Sequence, residues 1–203
     1  MPQADFMAIF ASNSETQKIM DVIKTDIEGL FVVEPKIFGD HRGYFYESYS
    51  KREFDAIAGR SVDFVQDNQS KSSYGVLRGL HFQKGIHAQA KLVRVVEGCV
   101  LDVAVDLRKG SPTYGRHYAV ELSAENHRQF FIPRGFAHGF AVLSPTAVFQ
   151  YKTDNYYCPE SEGAVAWDDP DLAIDWRLKP EEVMLSDKDR RHPLLRDIDP
   201  EEV

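Results

Sequence analysis

Apolar and polar positions alternate with a period of two along much of the chain. In LDVAVDL, Leu101, Val103, Val105 and Leu107 fall on one face and Asp102, Ala104 and Asp106 on the other, the pattern of an antiparallel strand with one buried side. HYAVEL and AVFQYKT repeat it further on. Turn formers separate these runs at short intervals: Glu97-Gly98, Lys109 to Pro112, Ser123 to Asn126, Pro133-Arg134-Gly135 and Ser144-Pro145. Such spacing predicts an all-β sandwich or barrel. Earlier, IEGLFVVEP and GYFYESYS flank the turn Gly39-Asp40-His41-Arg42-Gly43 and predict a hairpin. One short helix is expected over SKREFDAIAG, with Ser50 and Glu53 as a capping box, Phe54 and Ile57 as its apolar face and Gly59 as its stop. Near the end, SDKDRRHPLL predicts a helical turn begun by Ser186 and ended before Pro193.

The first 25 or so residues break the pattern. They are polar, and Ser14 with Gln17 forms a capping box for a short helix, so residues 1–25 are expected to be an extension and 26–203 a single domain. Met20 stands as a candidate native start. A chain of 203 residues is long enough to bury one sizeable core. With 43% hydrophobic and 28% charged residues the composition is that of a soluble globular protein, and the longest apolar runs fall short of a membrane span. The start lacks a basic stretch followed by an apolar one; the expected address is the cytoplasm. Cys99 and Cys158 lack metal-ligand spacing and are expected to be thiols. The net charge of −8 argues against nucleic acid as a partner, so any phosphate ligand needs a local cluster of cations.

Four polar residues then stand out by their direction. In KLVRVV, Lys91 shares a face with Val93 and Val95, while Arg94 shares one with Leu92 and Val96, so one face must bury a charge. A buried ammonium loses several kcal/mol of hydration, about the cost that only a partner or a site offsets. His81, in VLRGLHFQ, and Tyr151, on the face of Ala147 and Phe149, each taken alone reads as a satisfied structural residue more readily than as a catalyst. His138 opens another strand after the turn at Pro133 and Gly135. Together the four are a base, a cation, a second imidazole and a weak acid on four strands of one expected barrel, a collection that fits an active site.

Histidines in a jelly roll raise the metal-binding cupin pattern. Its second motif, Pro-x-Gly-x-x-His, is present as Pro133, Gly135 and His138. The first, His-x-His, is not: two positions after His81 stands Gln83, and His87 falls in an expected loop. Ligand count therefore argues against a metal.

The segments GDHRGYFYESY, QDNQSKSSYGVLRGLHFQ, KLVRVVEGCVLDVAVDLRKGSPTYG, LSAENHRQFFIPRGFAHGF, YKTDNYYCPESEG and LSDKD, in this order, resemble the dTDP-4-dehydrorhamnose 3,5-epimerases over roughly Ile27 to Leu195. The resemblance implies a cupin-type jelly roll with a few short peripheral helices, a homodimer, no cofactor and no metal. It also implies a dTDP-4-keto-6-deoxyglucose substrate in deoxysugar synthesis. Carried over by motif, it makes His81 the proton acceptor, Tyr151 the proton donor and Asp189 the partner of the base, with Lys91 and His138 lining the sugar site. Arg42, Glu47, Gln66, Asp67, Asn68, Arg78, Glu162 and Lys188 match nucleotide or sugar contacts. Ala90 stands where the family often has Gly, and the extension has no counterpart. Three alternatives stay open: an epimerase acting at C3 or C5 alone, a silent sugar-nucleotide-binding jelly roll, and a metal-dependent cupin.

Overall fold

The computed structural model describes residues 20–200 and 203. The elements in order are β1 (Met20–Lys24), β2 (Phe31–Pro35), β3 (Phe38–Asp40), β4 (Gly43–Phe45), α1 (Lys51–Ala58), β5 (Gln66–Ser73), β6 (Leu77–Gln83), β7 (Lys91–Glu97), β8 (Cys99–Asp106), β9 (His117–Ser123), β10 (Gln129–Ile132), β11 (Phe136–Val142), β12 (Thr146–Thr153) and β13 (Glu162–Ala164). The expected all-β architecture is present as two facing sheets. One runs β1-β2-β10-β7-β12-β5 and the other β13-β6-β11-β8-β9, both antiparallel throughout.

Three apolar layers result. Between the sheets lie Val32, Val93, Val95, Phe130 and Phe149 from one and Val100, Val120, Leu122, Phe136 and Phe140 from the other. Behind the five-stranded sheet, Leu77, Leu80, Leu101, Val103 and Val105 pack under the C-terminal segment through Val165, Leu172, Trp176 and Leu195. Behind the six-stranded sheet, Phe31, Leu92 and Phe131 meet Phe54 of α1. Each such fully buried aromatic or aliphatic side chain contributes about 1.5–3 kcal/mol.

Several local expectations change. β8 is buried on both faces, because the C-terminal segment covers the apolar side while Asp102 and Ala104 point between the sheets. The helix forms over Lys51–Ala58 with Gly59 as a left-handed cap, but Ser50 makes no capping hydrogen bond; Glu53 accepts from Arg52 instead. The hairpin is shorter than expected: Phe38–Asp40 pairs with Gly43–Phe45 as a separate two-stranded ribbon, while β2 pairs with β1 and β10. β1 itself lies within the stretch expected to be an extension and forms the edge of the six-stranded sheet. The helix expected from Ser14 lies outside the described residues. Among the described residues, no helix is long and apolar enough to cross a membrane.

Candidate active site

A bulge in β6 orients the site. Residues three apart on a regular strand face opposite ways, so Arg78 and His81 should not share a face. Across the β6–β11 pairing, His138 lies opposite His81 and Phe140 opposite Arg78, with a register shift between them. Three steps on β6 thus match two on β11, which is the signature of one extra residue. Gly79 permits it: its φ is +140°, and a Cβ there would lie 2.5 Å from the Cα of Gly139. The glycine of RGLH turns both the cation and the imidazole toward the space between the sheets.

That space is a cleft of ≈ 410 Å³ lined by Asn68, Ser70, Arg78, His81, Lys91, His138, Phe140, Phe149, Tyr151, Glu162, Lys188 and Asp189, among others. Phe140 and Phe149, stacked at 4.2 Å, contribute apolar wall. His81 and His138 come from the five-stranded sheet, Lys91 and Tyr151 from the six-stranded one. The base and acid candidates therefore face each other across the cleft.

His81 Nε2 lies 2.6 Å from Asp189 Oδ1. The carboxylate accepts, so Nε2 carries the proton and Nδ1 keeps its lone pair. Asp189 is delivered by a C-terminal turn that is tied to the start of β6: Leu77 N donates to the Met184 carbonyl and Met184 N to the Gly75 carbonyl. Ser186 Oγ donates to Asp189 Oδ2 and accepts from Asp189 N, as the expected turn requires. Burial raises the Asp189 pKa, but hydrogen bonds from His81 and Ser186 outweigh it and hold the carboxyl below its ordinary value.

His138 has its own carboxylate. Its Nε2 is 3.0 Å from both oxygens of Asp102, and the two side chains are 8% and 0% exposed. Burial lowers the His138 pKa, Asp102 opposes this, and Lys91 and His81 lower it further. Burial also pulls Lys91 down to about 8, against the pull of Asp102 and Glu162; its Nζ is 3.5 Å from the His81 carbonyl. Tyr151 is raised, by burial first and by Glu162, with Arg78 opposing, so its hydroxyl keeps its proton at neutral pH.

At the mouth, Glu162 accepts from Tyr157 and Lys188, and Arg78 Nε donates to Ser72 Oγ at 3.2 Å. Asn68 accepts from Gln66 Nε2 at 2.9 Å, which places Gln66 just behind the cleft. Gln83 is buried and accepts from Cys158 N, holding a loop where a cupin's second imidazole ligand would stand.

Residues 24–197 match the family described as dTDP-4-dehydrorhamnose 3,5-epimerase. The chain belongs to this family. The epimerase of that name from Salmonella typhimurium is 56% identical over 179 residues, covering 87% of this chain and 96% of that one. The crystal structure of the Elizabethkingia anophelis dTDP-4-dehydrorhamnose 3,5-epimerase is 57% identical with a TM-score of 0.85, covering 88% of this chain and 98% of its own. That of the Legionella pneumophila dTDP-6-deoxy-D-glucose-3,5-epimerase, in complex with dTDP-4-keto-L-rhamnose, is 54% identical with a TM-score of 0.86, covering 90% and 96%. The fold is the cupin-type jelly roll of these epimerases.

Four residues carried over from the epimerase motifs are not among those lining the cleft beside His81: Gln66 behind Asn68, and three that lie further off. Asp67 sits between Gln66 and Asn68 on β5 and so points to the other face, where it pairs with Lys152 at 2.9 Å. Arg42 lies in the β3–β4 turn, paired with Asp40 at 2.6 Å. Glu47 follows that hairpin, with Oε1 buried and without a hydrogen-bond partner. In the other direction, sequence alternation put Asp102 on a solvated face and so missed the carboxylate beneath His138. His192, packed behind His81, carried no signal at all.

Proposed function

We propose that this protein inverts C3 and C5 of dTDP-4-keto-6-deoxyglucose, giving dTDP-4-keto-L-rhamnose, by moving protons α to the C4 ketone. The observation that carries the reading is the opposition of His81 with Asp189 on one sheet to Tyr151 on the other, with Lys91 in the same cleft. Inversion requires a proton to leave one face of the ring and return to the other. His81 Nδ1, lone pair free, takes the proton; Asp189 then faces an imidazolium and stabilises it. Tyr151 returns a proton from the opposite side and recovers its own from solvent as His81 gives up its load. Each transfer group contributes about 10² to 10⁴ in rate.

Between the two transfers the negative charge rests on the C4 oxygen. Lys91 meets it: one preorganised donor is worth about 3–4 kcal/mol in a site shielded from water. His138, its Nε2–H committed to Asp102, offers only the lone pair of Nδ1, and serves as an acceptor for Lys91 or a sugar hydroxyl. Arg78 and Lys188 supply the cations for the diphosphate, with Asn68 and Gln66 beside them. Glu162 holds Lys188 in place. Asp67 acts through Lys152 and the shape of β5 rather than by touching the ligand.

A homodimer belongs to the same reading. Tyr44 and Phe45 of the hairpin are 60% and 42% exposed, and a second copy seated there gives Arg42 and the unpartnered Glu47 a ligand to reach. The test is proton NMR of dTDP-4-keto-6-deoxyglucose in deuterium oxide with the purified protein. Loss of both the C3 and C5 proton signals with appearance of the inverted sugar is expected. Exchange at one carbon alone narrows the activity to that position, and a sugar left unchanged refutes the proposal.

A further inference from the structure

Behind the catalytic pair the structure places a third side chain that the epimerisation does not use. His192 Nε2 lies 3.7 Å from the same Asp189 oxygen that His81 contacts. Its ring stands edge-on to that of His81, centroids 5.3 Å apart and planes at 80°. Asp189 opens a short 3₁₀ turn, Asp189–Arg191, and His192 is the residue that caps its end, three positions on, the spacing that brings two side chains near each other across such a turn. One ligand atom from each of His81, Asp189 and His192 falls within 4.8 Å of the others.

His192 is costly where it stands. Its side chain is 6% exposed, and its ring nitrogens have no partner at good hydrogen-bond geometry, the backbone of Gly79 offering only a weak one, so part of the penalty of about 1–3 kcal/mol for an unsatisfied buried group remains. An apolar side chain would pack there without that cost. What an imidazole adds is a ring nitrogen within 4.8 Å of a carboxylate oxygen and of a second imidazole nitrogen. Two imidazoles and a carboxylate make a donor set suited to zinc, with a fourth position left for water. Zinc bonds of about 2.0–2.2 Å in a tetrahedral arrangement put ligand atoms roughly 3.3 Å apart. The 3.7 Å contact is already near that value, the 2.6 Å contact must open by less than about 1 Å, and the two imidazole nitrogens, within 4.8 Å of each other, must close by at most about 1.5 Å. Ser186 holds the other Asp189 oxygen at 2.7 Å, the kind of outer support that orients a ligating carboxylate. Lys188, the cation next to Asp189 in the chain, is neutralised by Glu162.

We propose that His81, Asp189 and His192 form a binding site for zinc or a similar divalent transition metal, and that its occupation switches catalysis off. The inhibitory half rests on His81 being the base. With Nε2 bound to the metal, the proton that Nε2 carried resides on Nδ1, so the lone pair that takes the substrate proton is gone. The site shares only His81 with the cupin donor set, since Asp189 and His192 lie outside those motifs.

The test uses the full chain stripped with a chelator. Calorimetric titration with Zn²⁺ is expected to give one ion per chain, and turnover of the keto-sugar is expected to fall with the same midpoint and return with EDTA. His192→Leu removes a ligand while leaving the cleft lining intact. It should weaken Zn²⁺ by at least the 10- to 100-fold typical of losing even an outer-shell partner, and keep metal-free turnover within a few-fold. His192→Gln provides the same comparison should the leucine variant fold poorly. Equal Zn²⁺ affinity in wild type and both variants, or full turnover at saturating Zn²⁺, overturns the proposal. An inert protein whose Zn²⁺ binding still depends on His192 would remove the epimerase reading and the inhibition while upholding the site.

Discussion

The cleft contains two imidazole–carboxylate pairs of identical chemistry, and β6 and β11 set their histidines directly opposite one another. His138 with Asp102 is sealed, its carboxylate fully buried on β8, one strand away. His81 with Asp189 opens to the cleft, its imidazole 30% exposed and its carboxylate held on a turn from the far end of the chain. Burial drives His138 toward the neutral form, whereas His81 has solvent and substrate on one side and a carboxylate on the other. On the proposed mechanism the same two side chains thus make one fixed polar strut and one proton carrier. What separates them is access and the rigidity of the element that carries the carboxylate.

The strongest way to break that contrast is to remove each imidazole in turn. His81→Asn is expected to lower kcat by about 10² to 10⁴, while His138→Asn raises KM and lowers kcat less, both read by exchange of the substrate C3 and C5 protons. Equal losses in kcat would erase the distinction. Stability sharpens it from the other side. Asp102→Ala leaves His138 buried without an acceptor and should cost about 1–3 kcal/mol in urea unfolding, with Asp189→Ala costing less and showing instead as lost turnover.

Lys91 gives a subtler prediction. Its pKa near 8 means that the ammonium, which the proposed mechanism sets against the C4 oxygen, is lost as pH rises through about 8, so kcat should fall on that limb. Stability moves the other way. Between about 8 and the ordinary lysine value the unfolded chain binds more protons at this position than the folded one, so the Lys91 contribution to stability grows with pH across that window. Lys91→Arg, whose charge does not titrate there, should retain its activity above pH 8 relative to its own optimum; a limb that stays in place assigns it to another group.

How far the sequence carried depended on which physical signal each residue left. Alternation in KLVRVV showed that one face must bury Lys91 or Arg94, and the cost of a buried ammonium marked Lys91 as a residue that a site would explain. The strands and most turns were legible on similar grounds, since period two and glycine-rich breaks are local properties. Asp102 was lost to the same rule: polar positions on an alternating strand normally meet water, and only the C-terminal segment covering the opposite face reverses that for β8. The bulge at Gly79 was invisible as well, although it is why Arg78 and His81 share a face. Asp189 lies 108 residues from His81 and was reached only through the family's LSDKD motif. That same motif-based carry-over included Asp67, which the alternation of β5 turns away from its neighbours Gln66 and Asn68.

The central claim is that proton removal and proton return are done by different sheets. Tyr151→Phe in deuterium oxide tests it most directly, with the configuration at C3 and C5 and their deuterium content followed together. Deuterium should enter with retention of configuration, as His81 removes and returns protons on its own face, while the inverted sugar fails to accumulate. Inversion at the wild-type rate in that variant would contradict the account, because the proton would then be reaching the opposite face without Tyr151.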